Sequence, residues 1–364
     1  MSGKRHHWKA SAACGLIALI LSGCWDSKDI DNRLMVGAIG LEQPKDTSLR
    51  LWLRFPLPKA TLGEAGKDFF TVSQDGLTVP DAMNKAKYKL PKALESSTAR
   101  AILLDEKMAK SGINPYLEFA VRERSVPLDA IVAVVRGNME RIFTSPNPTG
   151  ELSGIYTKLF FEPYSGGTPR KNKTMLWEVY AKLYNPLHAN LIPLLSEGTL
   201  NSFIFAGNVI LINGKIVGEL NKSESLMYEI FTHRFHDAEM ALMNRSDVRI
   251  VHNHNRIATS FEGDTPVISI DCSLVTTLID SSQSLHQKIP QIVDDLKAEL
   301  TELAQSMFEK TQKQGADVFG FGNHFRSRLE PSQYAKWPEM FKKARINVEF
   351  HIDMRNTGLQ FLER

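Results

Sequence analysis

The clearest chemical context in this sequence belongs to a cysteine. Leu21-Ser22-Gly23-Cys24 places a thiol behind two small residues, at the end of an apolar run and ahead of Asp26, Lys28 and Asp29. A thiol can be alkylated to a thioether, which serine or alanine at the same place cannot form. Histidines are the next candidates. His233 and His236 have the i, i+3 spacing of one helical face, and His252 and His254 have the i, i+2 spacing of one strand face, so either pair could hold a metal. Neither has a cysteine or carboxylate cluster at ligand spacing beside it, and both pairs read as solvated surface histidines. Gly320-Phe321-Gly322-Asn323-His324 lacks the third glycine and the preceding strand of a dinucleotide site, so Gly320 and Gly322 read as a tight turn between helices. There is no Gly-Lys-Ser/Thr phosphate loop and no G-x-S-x-G nucleophile elbow. Asp294 and Asp295 are neighbours on a helical pattern and diverge, which makes them a solvated face and not an acid/base pair. The residues predict no enzyme, no cofactor and no metal site.

The segment ahead of Cys24 explains what its thiol is for. Lys4, Arg5 and Lys9 make a basic start, and an apolar or small run follows from Ala10 to Ser22, the layout of a secretory signal peptide. The run has roughly 13 residues, against the ~20 that a membrane-spanning helix requires. Leu21-Ser22-Gly23-Cys24 resembles the bacterial lipobox, in which the cysteine receives a diacylglyceryl group and then becomes the first residue of the mature chain. Cys24 is therefore the expected lipidation site, with S-diacylglycerol and N-acyl groups, and such chains at one residue suffice for lasting attachment. Cleavage ahead of Cys24 removes three basic residues and no acidic one, which takes the formal net charge from +3 to zero. That balance gives no attraction to nucleic acid. Of three cysteines, Cys14 lies in the signal and Cys24 carries lipid, so Cys272 stands alone and no disulfide framework exists. With 43% hydrophobic residues, the fold must be stabilised by its cores.

The elements that follow are mixed. Leu34–Leu41 and Leu49–Phe55 read as adjacent antiparallel strands, and Thr78 followed by Pro80 and Asp81 reads as a helix start. Ala101–Leu104 and Ala130–Val135 are apolar strands flanking a helical segment near 105–121, and Ile155–Phe161 reads as a strand. "FIFAGNVILINGKIVGEL" is two strands joined by Asn213-Gly214, a pair suited to a tight hairpin. A helix is expected from about Ser223 to Met243, and strands at 256–262 and 267–279. Leu285, Ile289, Ile292, Leu296, Leu300, Leu303 and Met307 recur at steps of three and four, which predicts a long amphipathic helix stopped by Gly315 and packed on a sheet. Arg345–Met354 alternates and closes the fold as a strand. The expected class is α+β, multidomain, each domain a mixed or antiparallel sheet packed with helices. The divisions are 1–23 as signal peptide, 24–199 as an N-terminal domain with a subdomain junction in the Pro/Gly-rich stretch near 144–173, and 200–364 as a C-terminal domain.

Three blocks carry a family resemblance. "ADVFGFGNHFRSRLEPSQYAKWPEMFKKARINVEFHIDMRNTGL", "FAGNVILINGKIVGELNKSES" and "GCWDSKDIDNRLMVGAIGLE" resemble, in order, the C-terminal, central and N-terminal blocks of the Ger(x)C lipoproteins, the C subunits of bacterial spore germinant receptors. The resemblance implies a non-enzymatic subunit anchored by lipid at the outer face of the spore inner membrane. It implies two integral-membrane partners, the A- and B-type subunits, with the small nutrient not bound directly by this chain. Two other readings share the signal and the size. A solute-binding lipoprotein is disfavoured because the halves are unlike and show no regular β-α-β repetition of two lobes. A lipid-anchored wall hydrolase is disfavoured by the missing catalytic groups.

Overall fold

The unbroken apolar runs at 101–104 and 130–135 and the alternating run at 345–354 end up in different sheets. The computed structural model describes residues 30–44, 49–57, 69–123, 126–146, 153–162, 172–198, 203–232, 239–242, 247–280 and 289–355. After a 3-10 turn at Ile30–Asn32, β1 (Arg33–Met35) pairs in parallel with β5 (Ala93–Glu95). The main sheet holds β2 (Ala38–Glu42), β3 (Leu49–Pro56), β4 (Phe69–Gly76), β6 (Ala101–Asp105), β7 (Ile131–Arg136), β8 (Asn190–Glu197), β9 (Phe203–Ile212) and β10 (Lys215–Leu220). Its eight strands lie in the order β10-β9-β8-β7-β6-β2-β3-β4. The centre, β2, β6, β7 and β8, is parallel, and antiparallel pairs extend it on both sides.

Helices cover both faces of this sheet, which is why its central strands need no polar side. On one face lie α1 (Val79–Lys87), α2 (Glu106–Ser111), α3 (Asn114–Arg122) and α6 (Leu176–Leu183), packed on Ile39, Leu51, Ile102, Val132 and Ile192. On the other lie α4 (Met139–Thr144) and α5 (Ser153–Phe161), packed on Ala38, Trp52, Leu103, Ala133 and Val135. At Gly40 the second layer packs directly on the strand: a Cβ there would sit 2.5 Å from the Phe143 ring. The sheet runs on past residue 199, because β8 pairs with β9.

The second sheet has four strands in the order β11-β12-β13-β14: β11 (Glu239–Leu242), β12 (Asp247–Glu262), β13 (Thr265–Asp280) and β14 (Arg345–Arg355). β12 and β13 form a long antiparallel hairpin, and β14 joins β13 in parallel. α7 (Lys222–Thr232), α8 (Ile289–Gln314), α9 (Phe321–Phe325) and α10 (Trp337–Lys342) build one core with Ile268, Ile270, Cys272, Leu274 and Phe350. The opposite side of the sheet presents exposed polar residues, among them His254, Ser273 and His351. Leu187, Leu191, Ile210 and Leu220 from the first sheet's side belong to the same core, so the two bodies share apolar packing.

Local signals hold well where the chemistry is local. Thr78 caps α1 by accepting from the Asp81 N–H at 3.3 Å, with Pro80 in the first turn. Asn213 and Gly214 turn the β9–β10 hairpin with φ of 50° and 75°, and α8 ends at Gln314, just before Gly315 with φ of 67°. Two expectations are corrected and a third is refined. Ile155–Phe161 is part of helix α5, because Thr157 and Phe161, four residues apart, are buried together on the sheet and helical spacing wins over β-prone residue types. The helix expected to reach Met243 stops at Thr232, and Glu239–Leu242 becomes β11, drawn into pairing with β12. The segment near 105–121 is two helices, broken at Gly112 (φ 134°) and restarted with Pro115 in the first turn of α3.

Candidate functional site

Cys24, His233 and His236 lie outside the described residues. His252 and His254 are exposed on β12, flanking the buried Asn253, whose amide donates to the Ile230 carbonyl at 2.6 Å. His254 stands opposite Ser273, and Ser273 opposite His351, whose Nε2 is 3.3 Å from an Asp271 oxygen. Among the described residues no group of three His, Cys, Asp or Glu side chains is placed to hold a metal ion. Cys272 faces the core, fully buried, and burial pushes its thiol up to about 12, so it is an unreactive packing group. Asp294 and Asp295 are exposed on α8.

The groups that do converge surround Asp317, where the two bodies meet. α8 ends, Gly315 turns the chain, and Asp317 is carried into the interior at 2% exposure. One carboxylate oxygen accepts from the Gly322 N–H at 2.7 Å and from the Trp337 indole N–H at 3.0 Å, joining the start of α9 to α10. Its main-chain carbonyl accepts from the Ala189 N–H at 2.8 Å, just ahead of β8. His188 adds a second strap, with Nε2 at 3.0 Å from the Val318 carbonyl.

Both glycines of this turn have a reason to be glycine. Gly320 has φ of 71°, and a Cβ there would lie 2.7 Å from His188 Nδ1. A Cβ on Gly322 would lie 2.7 Å from Trp337 Nε1 and 2.8 Å from the Leu187 carbonyl. Sequence reading singled out these glycines as a turn. It missed Asp317 and His188, because a single Asp and a single His carry no pattern until burial distinguishes them.

Burial sets the electrostatics. It pushes the Asp317 carboxyl up to about 6, against the opposing pull of the Gly322, Trp337, Phe321 and Gly320 donors. It pushes His188 down to about 4, helped by the Lys182 charge and opposed by the bond to Val318. His188 is thus a neutral imidazole at neutral pH, donating from Nε2.

Further ties stiffen each body on its own side of the joint. Arg136 at the end of β7 bonds Glu106 at 2.9 and 3.0 Å and reaches Glu219 on β10 at 2.6 Å. The Arg136 hydrogen bond is the main cause holding Glu106 down to about 2. The Ile113 N–H donates to the Gly214 carbonyl at 2.9 Å, seating the β9–β10 hairpin tip on the start of α3. Inside the second body, Glu224 closes a capping box with Asn221 and accepts from Ser306 at 2.9 Å and Lys310 at 2.8 Å, pinning α7 to α8. The Asp317 turn and His188 tie the two bodies together, through Ala189 and Val318, while the other bonds brace each body internally.

The fold and this joint define a class: a multidomain α+β protein with a mixed sheet and a half-open sheet locked through a buried carboxylate turn. Residues 26–197 match the family described as the spore germination protein N-terminal domain, and residues 207–358 match the spore germination B3/GerAC-like C-terminal family. The chain is 19% identical to spore germination protein GerQC of Bacillus cereus, covering 94% of this chain and 97% of that one. It is 22% identical to spore germination protein KC of Bacillus subtilis (strain 168), over 95% of this chain and 94% of the relative. Spore germination protein B3 of the same organism is 29% identical over 133 residues, which span 36% of this chain and 35% of that relative. The crystal structure of the GerBC protein superposes with a TM-score of 0.53 at 15% identity, covering 88% of this chain and 97% of that one, a likeness of fold. The chain belongs to the Ger(x)C family of spore germination proteins.

Proposed function

We propose that this chain is the lipid-anchored, non-catalytic C subunit of a nutrient germinant receptor at the outer face of the spore inner membrane. Family membership across both halves carries the reading, and Cys24 stands two residues ahead of the first matched position. Among the described residues no helix is long and apolar enough to cross a membrane. In this reading the thioether on Cys24 supplies the attachment, and its partners are two membrane-spanning subunits. Confinement to the membrane surface raises the effective concentration of the chain beside them, so modest docking surfaces suffice. The joint at Asp317 supports this role, since a subunit that transmits docking has to keep its halves in one relation. The division we propose is a signal at 1–23, then 24–199 and 200–364, a division of sequence in which the C-terminal part lends β9 and β10 to the first sheet.

Spores lacking the chain should lose the response to one nutrient class and keep germination by non-nutrient triggers. Complementation with Cys24→Ala should fail, and that variant should take up no radioactive fatty acid. Normal nutrient germination in the deletion strain would defeat the receptor assignment. Label on the alanine variant would defeat the anchor.

A further inference from the structure

Where the described chain begins, it lies against a basic loop. The Ile30–Asn32 turn leads into β1, and β1 runs parallel to β5 with Arg33 opposite Ala93. Both strands therefore start side by side, and the Lys92 ammonium donates to the Asp31 carbonyl at 2.6 Å. Asn32, Lys87, Leu90, Pro91, Lys92, Ala93 and Leu94 line one open concavity there. Beside it Tyr88 is 93% exposed, more than any other large apolar or aromatic side chain among the described residues.

Lysines predominate on this face, which also holds the exposed Asp31 beside Lys92. Residues 85–92 read Lys-Ala-Lys-Tyr-Lys-Leu-Pro-Lys. Asp81 is taken up by Lys85 at 2.8 Å, Asp75 by Arg50 at 2.7 Å, and Glu95 by Arg33. Among the described residues Lys87, Lys89 and Lys92 form no ion pair with a carboxylate. Since the mature chain is neutral as a whole, this is a local excess and not a general bias.

Distance then decides what the face meets. Six residue-to-residue steps lead from Cys24 to Ile30, and a fully extended chain of that length spans at most about 22 Å. With Cys24 held in the bilayer, the Lys87–Lys92 face lies within that reach of the headgroups, where each lysine strengthens attraction to anionic lipid roughly fivefold. Exposed tyrosine is suited to the same place, having an apolar ring and a polar tip.

We propose that Lys87, Tyr88, Lys89 and Lys92 form a bilayer-contact face that seats the body on anionic lipid headgroups and so fixes its orientation. This rests on the lipid anchor at Cys24. The test uses the full, lipidated chain in vesicles, with Tyr88→Cys carrying a fluorophore. Cys24 is capped by lipid and Cys272 is buried, so the introduced thiol is the one labelled. Flotation with the vesicles reads the anchor, and access of a soluble quencher reads the face. On vesicles with 30% phosphatidylglycerol (about a third anionic) the label should be several-fold less accessible than on pure phosphatidylcholine. High salt should restore access, and so should adding Lys87→Gln and Lys92→Gln. A label at Ser260, exposed on β12, should respond to neither. Flotation with equal access on both vesicle types, or protection that survives the glutamine pair, overturns the face while leaving the anchor standing. Failure of the lipidated chain to float overturns both.

Discussion

Val134 and Val135 are neighbours on β7 and both are 0% exposed. Glu349 and Phe350 are neighbours on β14, and only the phenylalanine is buried, at 1%, while the glutamate side chain is 69% exposed. The same strand geometry, with side chains alternating between faces, has opposite consequences in the two sheets. In the first sheet helices lie on both faces, so every second residue meets a different core. In the second sheet helices lie on one, and alternate residues meet water. The difference teaches where substitutions are free: hardly anywhere along the central parallel strands, and at the exposed alternate positions of β12, β13 and β14 such as His254, Ser273 and Glu349.

The largest expected effect tests that alternation. Phe350→Ala should cost about 3–5 kcal/mol in urea unfolding, while Glu349→Ala, one residue away, should stay within about 0.5 kcal/mol. Similar costs for both would mean that the open face is covered in the folded protein. The matching pair in the first sheet, Val134→Ala and Val135→Ala, should each cost roughly 1.5–3 kcal/mol, since each removes buried methyl groups from a different core. A neutral member of the pair would show one helical layer to be loosely packed.

The joint between the bodies gives the next two. Gly322→Ala forces a methyl against Trp337 and the Leu187 carbonyl and should cost about 1–3 kcal/mol; Gly263→Ala, at the β12–β13 turn, has nothing within 4 Å and bears only the strain of its φ of 59°. The smallest effect is in pH dependence. His188 sits at about 4, below its ordinary value of 6.5, so the unfolded chain takes the proton first and stability falls as pH drops from 6.5 towards 4. Asp317 sits at about 6, above its ordinary 3.8, so the folded chain takes the proton first and stability rises as pH drops through 6. The two slopes oppose each other. Asp317→Asn should therefore steepen the acid-side loss of stability by up to ~1.4 kcal/mol per pH unit, and His188→Gln should reverse its sign. Unchanged urea midpoints against pH in both variants would mean that neither group titrates in this range.

Much of the second body is legible in residue order, because its signals are local. The one-sided period of α8, the alternation of β14, Asn213-Gly214 and Gly315 each act within a few residues. Less of the first body is legible. No periodicity marks β8, and α5 reads as a strand, because both lie beside an interrupted stretch and take their state from the sheet they pack on.

Of the candidate site, the turn glycines could be read and the groups they make room for could not. Sequence by itself determined the class of fold and the elements whose period or turn chemistry is written in consecutive residues, and it alone carries the lipobox resemblance at Leu21–Cys24. Tertiary structure alone decided that β13 pairs in parallel with a strand 65 residues beyond its end, that β9 continues the first sheet, and that the Asp317 carbonyl meets the Ala189 N–H while His188 meets the Val318 carbonyl. The reason is physical: pairing and burial are energies of groups far apart in the chain, and an aspartate that ends in water looks the same in sequence as one that ends at the centre of a joint.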